Sequence, residues 1–99
     1  MKIALDYDGT VTADPVFWRL FVSLASAHGH EVHIVTMRWP AEPIDPATVS
    51  AVKGRVHYTG HQFKMPEMLR RGIAFDIWID DSPGMVTGGG DVLQWGDTP

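Results

Sequence analysis

The sequence predicts one α/β domain, a three-layer sandwich with a mainly parallel sheet between helices. Three observations carry this expectation. Short apolar runs suited to buried strands alternate with segments of helical period. The chain has 99 residues, enough for a single core. Acidic pairs fall just where the first and last clear strand runs stop, in "KIALDYDGT" and "FDIWIDD".

Each element has its own signal. "KIALD" (residues 2 to 6) reads as a buried strand. "ADPVFWRLFVSLASAHG" reads as a helix, with Asp14 as N-cap, Pro15 at the first helical position and Gly29 as the stop. Phe17, Leu20, Phe21 and Leu24 follow the i, i+3, i+4, i+7 spacing and predict its core-facing stripe. Trp18 and Trp78 are also expected in the core. Residues 31 to 36, in "EVHIVTM", form the second strand. A proline-rich loop follows, then a short helix starting near Asp45-Pro46. "RVHYT" is a third short strand, "KMPEMLRRG" a helix stopped by Gly72, and "FDIWIDD" a fourth strand. A last short strand is expected at 92 to 95. The "TGGG" run before it reads as a turn, because it lacks the strand-to-helix context of a nucleotide-binding loop.

Composition narrows the function classes. The 44% hydrophobic and 20% charged residues describe a folded globular chain, not a disordered one. With no cysteine, disulfide and zinc-thiolate scaffolds are excluded. A net charge of -4 argues against a nucleic-acid partner, which needs clustered Lys and Arg. No apolar run approaches the roughly 18 residues of a membrane span, and no signal-peptide pattern opens the chain. No membrane partner and a cytoplasmic location are therefore expected.

In a parallel sheet the ligand lies beyond the carboxyl ends of the strands. Asp6 and Asp8 follow strand one, Thr36 ends strand two, and Asp80 and Asp81 end strand four. Four carboxylates gathered at one edge need a compensating cation. A hard divalent ion with oxygen ligands, Mg²⁺ first, would supply it and could clamp a phosphoryl group. Lys64 offers a further positive charge and Thr36 a hydroxyl. One carboxylate is then free to attack phosphorus and another to handle protons.

These residues resemble the motifs of the haloacid dehalogenase-like superfamily of phosphatases. "ALDYDGTV" is similar to its strand followed by Asp-x-Asp-x-Thr/Val, and "VHIVT" to its strand ending in Ser or Thr. Lys64 in "HQFKMPEML" is similar to its lysine, with Lys53 as the competing candidate, and "IWIDDSP" to its closing acidic pair. The resemblance spans about residues 2 to 83. It implies a small Rossmann-like core and an Mg²⁺-dependent phosphomonoester hydrolase working through an aspartyl-phosphate. Asp6 would be the nucleophile and a metal ligand. Asp8 would be the general acid and then the base, with its backbone carbonyl on the metal. Thr36 and Lys64 would hold the phosphoryl oxygens, one or both of Asp80 and Asp81 would complete the metal shell, and Thr10 would fix the loop. An Asp two residues after the nucleophile marks phosphatases rather than dehalogenases in this superfamily. An alkoxide leaving group and an attacking water both need proton transfer, and a halide does not.

Two alternatives stand beside this reading. A receiver-like phosphoacceptor also uses an acidic cluster, a Thr, a Lys and Mg²⁺. Its acidic pair follows the first strand, however, whereas here the adjacent pair comes last. The other alternative is a catalytically silent module with the same fold. Neither the segment after Thr10 nor residues 37 to 63 has room for an inserted cap domain, so a capless, open site is expected. Its rim candidates are Phe17, Trp18, Arg38, Trp39 and His61. The expected partner is a phosphorylated substrate, with a homo-oligomer as a possible source of cover. The five histidines show no metal-ligand spacing.

Overall fold

The computed structural model describes residues 1–88. In chain order the elements are β1 (Lys2–Leu5), a single 3₁₀ turn (Val11–Ala13), α1 (Pro15–Ala27), β2 (Glu31–Thr36), α2 (Pro46–Ala51), β3 (Val56–Tyr58), α3 (Lys64–Arg70), β4 (Ile77–Ile79) and α4 (Gly84–Thr87). The expected strand at 92 to 95 lies outside the described residues, as do Gly89 and Gly90 of the "TGGG" run.

The four strands form one parallel sheet in the order β3-β2-β1-β4. Ile3 of β1 lies opposite Val32 of β2 and Ile77 of β4, and Thr36 of β2 opposite Tyr58 of β3. Asp76 pins the register at the open end, its carboxylate accepting from Lys2 N at 2.8 Å and its own N–H donating to Lys2 O at 2.8 Å. The chain moves outward from β1 to β3 and then returns to the other side of β1. The switch point of the topology is therefore the crevice between β1 and β4.

Strand side chains alternate between two cores, as a period of two requires. Ile3, Leu5, Val32 and Ile34 face a cluster completed by Val22 and Ala25 of α1 and by Ile44 and Val52 around α2. Ala4 and Val35 face the other side, where Met68 of α3, Ile73, Phe75 and Trp78 pack. Helices thus cover both faces, the arrangement of a small Rossmann-like α/β fold.

The predicted stripe of α1 is a correction. Phe17, Leu20 and Leu24 are 53%, 66% and 63% exposed. The face that meets the sheet carries Trp18, Phe21, Val22 and Ala25. The period was right and the phase was off by one residue, since only Phe21 is common to both sets. Val16, Phe17, Trp18, Leu20, Phe21, Val22 and Leu24 make the helix apolar nearly all round, so periodicity could not fix its rotation. Small Ala25 sits on the side of the helix that faces the sheet, where α1 packs on β2. The start of α1 is as expected, with the Asp14 carboxylate accepting from Phe17 N at 3.2 Å and Pro15 in the first turn. Asp45 caps α2 in the same way, accepting from Thr48 N at 3.0 Å. The one-turn helix α4 was not expected; it packs against α3.

Candidate functional site

The Asp6 backbone N–H donates to Ile79 O at 2.9 Å, tying the end of β1 to the end of β4. Beyond this point the two chains diverge, and their acidic residues turn toward one another. One carboxylate oxygen from each of Asp6, Asp80 and Asp81 lies within 4.8 Å of the others. At an effective dielectric constant of about 20, each such pair repels by roughly 3 kcal/mol or more. Gly9 permits the approach: its φ is +83°, and a Cβ there would lie 2.3 Å from Asp81 Oδ2. Any side chain at this position would push Asp81 out of the cluster.

Lys64, at the start of α3, provides the opposing charge. Its Nζ is 2.5 Å from Asp6 Oδ1 and 2.6 Å from Asp80 Oδ2, and its side chain is only 3% exposed. The remaining oxygens are also engaged. Thr10 Oγ1 donates to Asp6 Oδ2 at 3.0 Å, and Ser82 N donates to Asp80 Oδ1 at 2.9 Å. Asp81 is exposed, and among the described residues its one contact with a donor is a long 3.4 Å approach from the same Thr10 hydroxyl. Burial, and after it the neighbouring Asp81, pushes the Asp6 carboxyl up to about 6 against the pull of Lys64. One ammonium among three carboxylates leaves the cluster short of positive charge. An all-oxygen set with that deficit suits a hard divalent cation, so Asp6, Asp80 and Asp81 could hold one; the set does not single out a particular metal. They are the one such group of His, Asp or Glu among the described residues.

The Asp8 carboxylate stands outside this cluster. Arg38 grips it with two bonds, Nε to Oδ2 at 2.9 Å and Nη2 to Oδ1 at 2.8 Å. The hydrogen bonds and charge of Arg38 hold the Asp8 carboxyl below the usual carboxylate range. That is the form that takes a proton from water. The expected metal contact of Asp8 was its backbone carbonyl, on which this pairing has no bearing. Arg38 is itself fixed: Nη1 donates to Glu42 O and Pro43 O, each at 3.2 Å, and the guanidinium lies 5.1 Å from the centre of the Tyr7 ring. The Tyr7 hydroxyl donates to the α2 cap residue Asp45 at 2.7 Å. Sequence reading placed Arg38 at the rim and missed this fork. The sequence carried no signal for it, since β2 ends at Thr36 and Arg38 lies in the bend that follows, where loop geometry sets the side-chain direction.

Thr36, 1% exposed, ends β2 facing the same space. Its Oγ1 accepts from Arg38 N at 3.2 Å, and among the described residues its own proton goes to no acceptor. Asp6, Asp8, Thr36, Lys64, Asp80 and Asp81 all line one cavity of about 270 Å³, with Arg38, Glu42 and His61 at its sides. All six expected site residues are therefore brought together. Lys53 is not: it borders a separate shallow hollow with Arg19 and Ser23. Of the rim candidates, Arg38 and His61 line the cavity, Trp39 packs on His61, and Phe17 and Trp18 do not line it. His57 is paired away from the site, its Nε2 lying 2.9 Å from His33 Nδ1. No family model matches the chain, and no curated protein or solved structure matches it.

Proposed function

We propose that this protein is a phosphomonoester hydrolase that works through an aspartyl-phosphate on Asp6. The observation that carries the reading is the placement of Lys64. A buried ammonium bridges Asp6 and Asp80 at 2.5 and 2.6 Å, at the switch point of a parallel sheet, with a second acid-base candidate, Asp8, two residues away. The motif resemblance to haloacid dehalogenase-like phosphatases supports it independently.

The residues divide the work as follows. Lys64 and Thr10 fix the orientation of the Asp6 carboxylate, and each of its oxygens keeps a lone pair. An Asp6 oxygen attacks phosphorus, the bond from phosphorus to the ester oxygen breaks, and the leaving oxygen takes a proton from Asp8, which must part from Arg38 and enter this step protonated. Water then attacks the phosphorus of the acyl-phosphate and gives its proton to Asp8. The bond from phosphorus to Asp6 breaks, releasing phosphate and restoring the carboxylate. Thr36 donates its hydroxyl proton to a phosphoryl oxygen, and Lys64 adds charge on the same group. A divalent cation such as Mg²⁺, held by Asp6, Asp80 and Asp81, would supply further positive charge to the phosphoryl oxygens. Arg38 keeps the Asp8 carboxylate aimed, which favours the second, water-activating step.

The test is phosphate release from a panel of phosphomonoesters with and without Mg²⁺. Metal-dependent release of many equivalents per enzyme is expected. Release of no more than one equivalent would favour a phosphoacceptor, and no reaction at all would favour a silent module.

A further inference from the structure

The cavity itself is small. Ligand pockets for whole drug-sized molecules run from about 300 Å³ upward, and this one has about 270 Å³. It takes a phosphoryl group and part of what that group is attached to. The rest of any larger substrate lies on the mouth, so the mouth chooses the leaving group.

Trp39 lies beside this mouth, packed on His61, which lines the cavity. Beyond the β2–β3 ladder the two chains stay joined, Thr59 N donating to Thr36 O at 2.8 Å, His61 N to Met37 O at 2.8 Å and Gly60 N to Arg38 O at 3.2 Å. One face of the indole is laid on Gly60, where a Cβ would lie 2.6 Å from Trp39 Cζ3. Only a glycine lets the ring lie there. His61 holds the ring from the side, with centroids 5.7 Å apart, and does so from a left-handed backbone conformation (φ +67°) that non-glycine residues rarely adopt. Despite this fixing, Trp39 remains 50% exposed. A rigid indole is thus presented to solvent beside the cavity wall that His61 forms.

A flat, open indole face binds flat rings. Its quadrupole also attracts cations, and the carboxylates at the cavity outnumber Lys64 and Arg38, so a cationic leaving group is the competing occupant that the experiment must separate from a neutral ring. Glu42 lines the same cavity and shares a turn with Trp39, its N–H donating to Trp39 O at 2.9 Å. Among the described residues no side chain donates to its carboxylate, which leaves an acceptor for hydroxyl groups. Phosphate, hydroxyl-bearing spacer and planar ring is the chemical sequence of a nucleotide. Resting on the phosphatase reading above, we propose that the substrate is a nucleoside monophosphate, with its base stacked on Trp39. The net charge of -4 speaks for the free mononucleotide rather than a polynucleotide end.

The experiment compares adenosine 5′-monophosphate, ribose 5-phosphate and phosphocholine as substrates. For the wild type, kcat/KM for the nucleotide should exceed that for ribose 5-phosphate by about tenfold, the effect of one stacked base. Trp39→Ala should bring that ratio close to one, and Trp39→Phe, which keeps a ring, should give an intermediate value. A wild-type ratio near one, a preference for phosphocholine, or a ratio unchanged by Trp39→Ala would overturn the proposal. If no phosphate ester is turned over, the phosphatase reading fails and the base site is judged separately. Calorimetric Kd values for the same compounds then give the ratio, with the same expected and contrary results. If Trp39→Ala is misfolded by circular dichroism, Trp39→Phe decides: a ratio equal to the wild type's would count against stacking on the larger indole.

Discussion

Lys64 is the residue on which the cluster depends. It is buried with two carboxylates on its ammonium. Removing one partner of a buried ionic group leaves uncompensated charge and typically costs several kcal/mol. Lys64→Met should therefore destabilise the metal-free protein by about 3 kcal/mol at pH 8, measured by urea unfolding. The cost should shrink at pH 5, where the Asp6 carboxyl, already pushed up to about 6 by burial, takes up a proton. A variant as stable as the wild type at pH 8 would show that the lysine does not balance these acids. His57 gives a second handle, away from the site. Burial, then the neighbouring His33 and Arg71, pushes its imidazole down to about 4. Its folded value lies below its unfolded one, so the unfolded chain binds the extra proton between about pH 6.5 and 4. Stability should fall as pH drops through that window, by roughly 2 kcal/mol from this group. His57→Gln should lose this dependence. If wild type and variant keep a constant stability difference between pH 7 and pH 4, His57 is not the group responsible.

Among the elements, α1 separates what was legible in the sequence from what was not. Its existence and its start followed from local chemistry, the Asp14 cap and Pro15, and both are present. Its rotation depended on what it packs against, and seven large apolar residues in nine positions carry no phase. Exposed Leu20 should tolerate change and buried Met68 of α3 should not. Leu20→Gln is expected to alter stability by no more than about 0.5 kcal/mol. Met68→Ala should cost about 2 to 4 kcal/mol, since Met68 is 0% exposed. Thermal unfolding of both variants checks the assignment, and a larger loss from Leu20→Gln would mean that this face is covered in solution. The strands were easier to read, because an apolar run that ends in paired acids marks both a strand and its carboxyl end. That is why the four expected acids meet in one cavity, where Thr36 and Lys64 join them. The Arg38–Asp8 fork and the Thr10–Asp6 bond escaped reading because each joins side chains whose directions depend on loop geometry, which residue type alone does not specify. The left-handed His61 and the indole resting on Gly60 escaped it for the same reason.

At the scale of the whole molecule, a four-stranded sheet concentrates its unbalanced charge at one end of one crevice. A cation that binds only the folded chain stabilises it by mass action, about 2.7 kcal/mol at a hundred times Kd. Mg²⁺ should therefore raise the melting temperature by roughly 10 °C or more at such concentrations. Asp81→Asn should remove most of that gain. Without metal the same variant should be at least as stable as the wild type, because one repelling charge is gone. An Mg²⁺ shift of equal size in wild type, Asp80→Asn and Asp81→Asn would place any ion elsewhere. The cavity also lies open, with no cap domain among the described residues. On the phosphatase reading proposed above, exclusion of water would fall to the substrate or to a second copy of the chain, which sedimentation in the presence of substrate can read. The central claim is that phosphorus is attacked by Asp6. Its most direct test is to quench the protein with acid during turnover of an aryl phosphate with Mg²⁺, then map the phosphoryl group by peptide mass. A hydroxylamine-labile phosphoryl group on Asp6, with turnover abolished in a folded Asp6→Asn variant, is the expected result. A phosphoryl group on another residue, or turnover retained by Asp6→Asn, would contradict it.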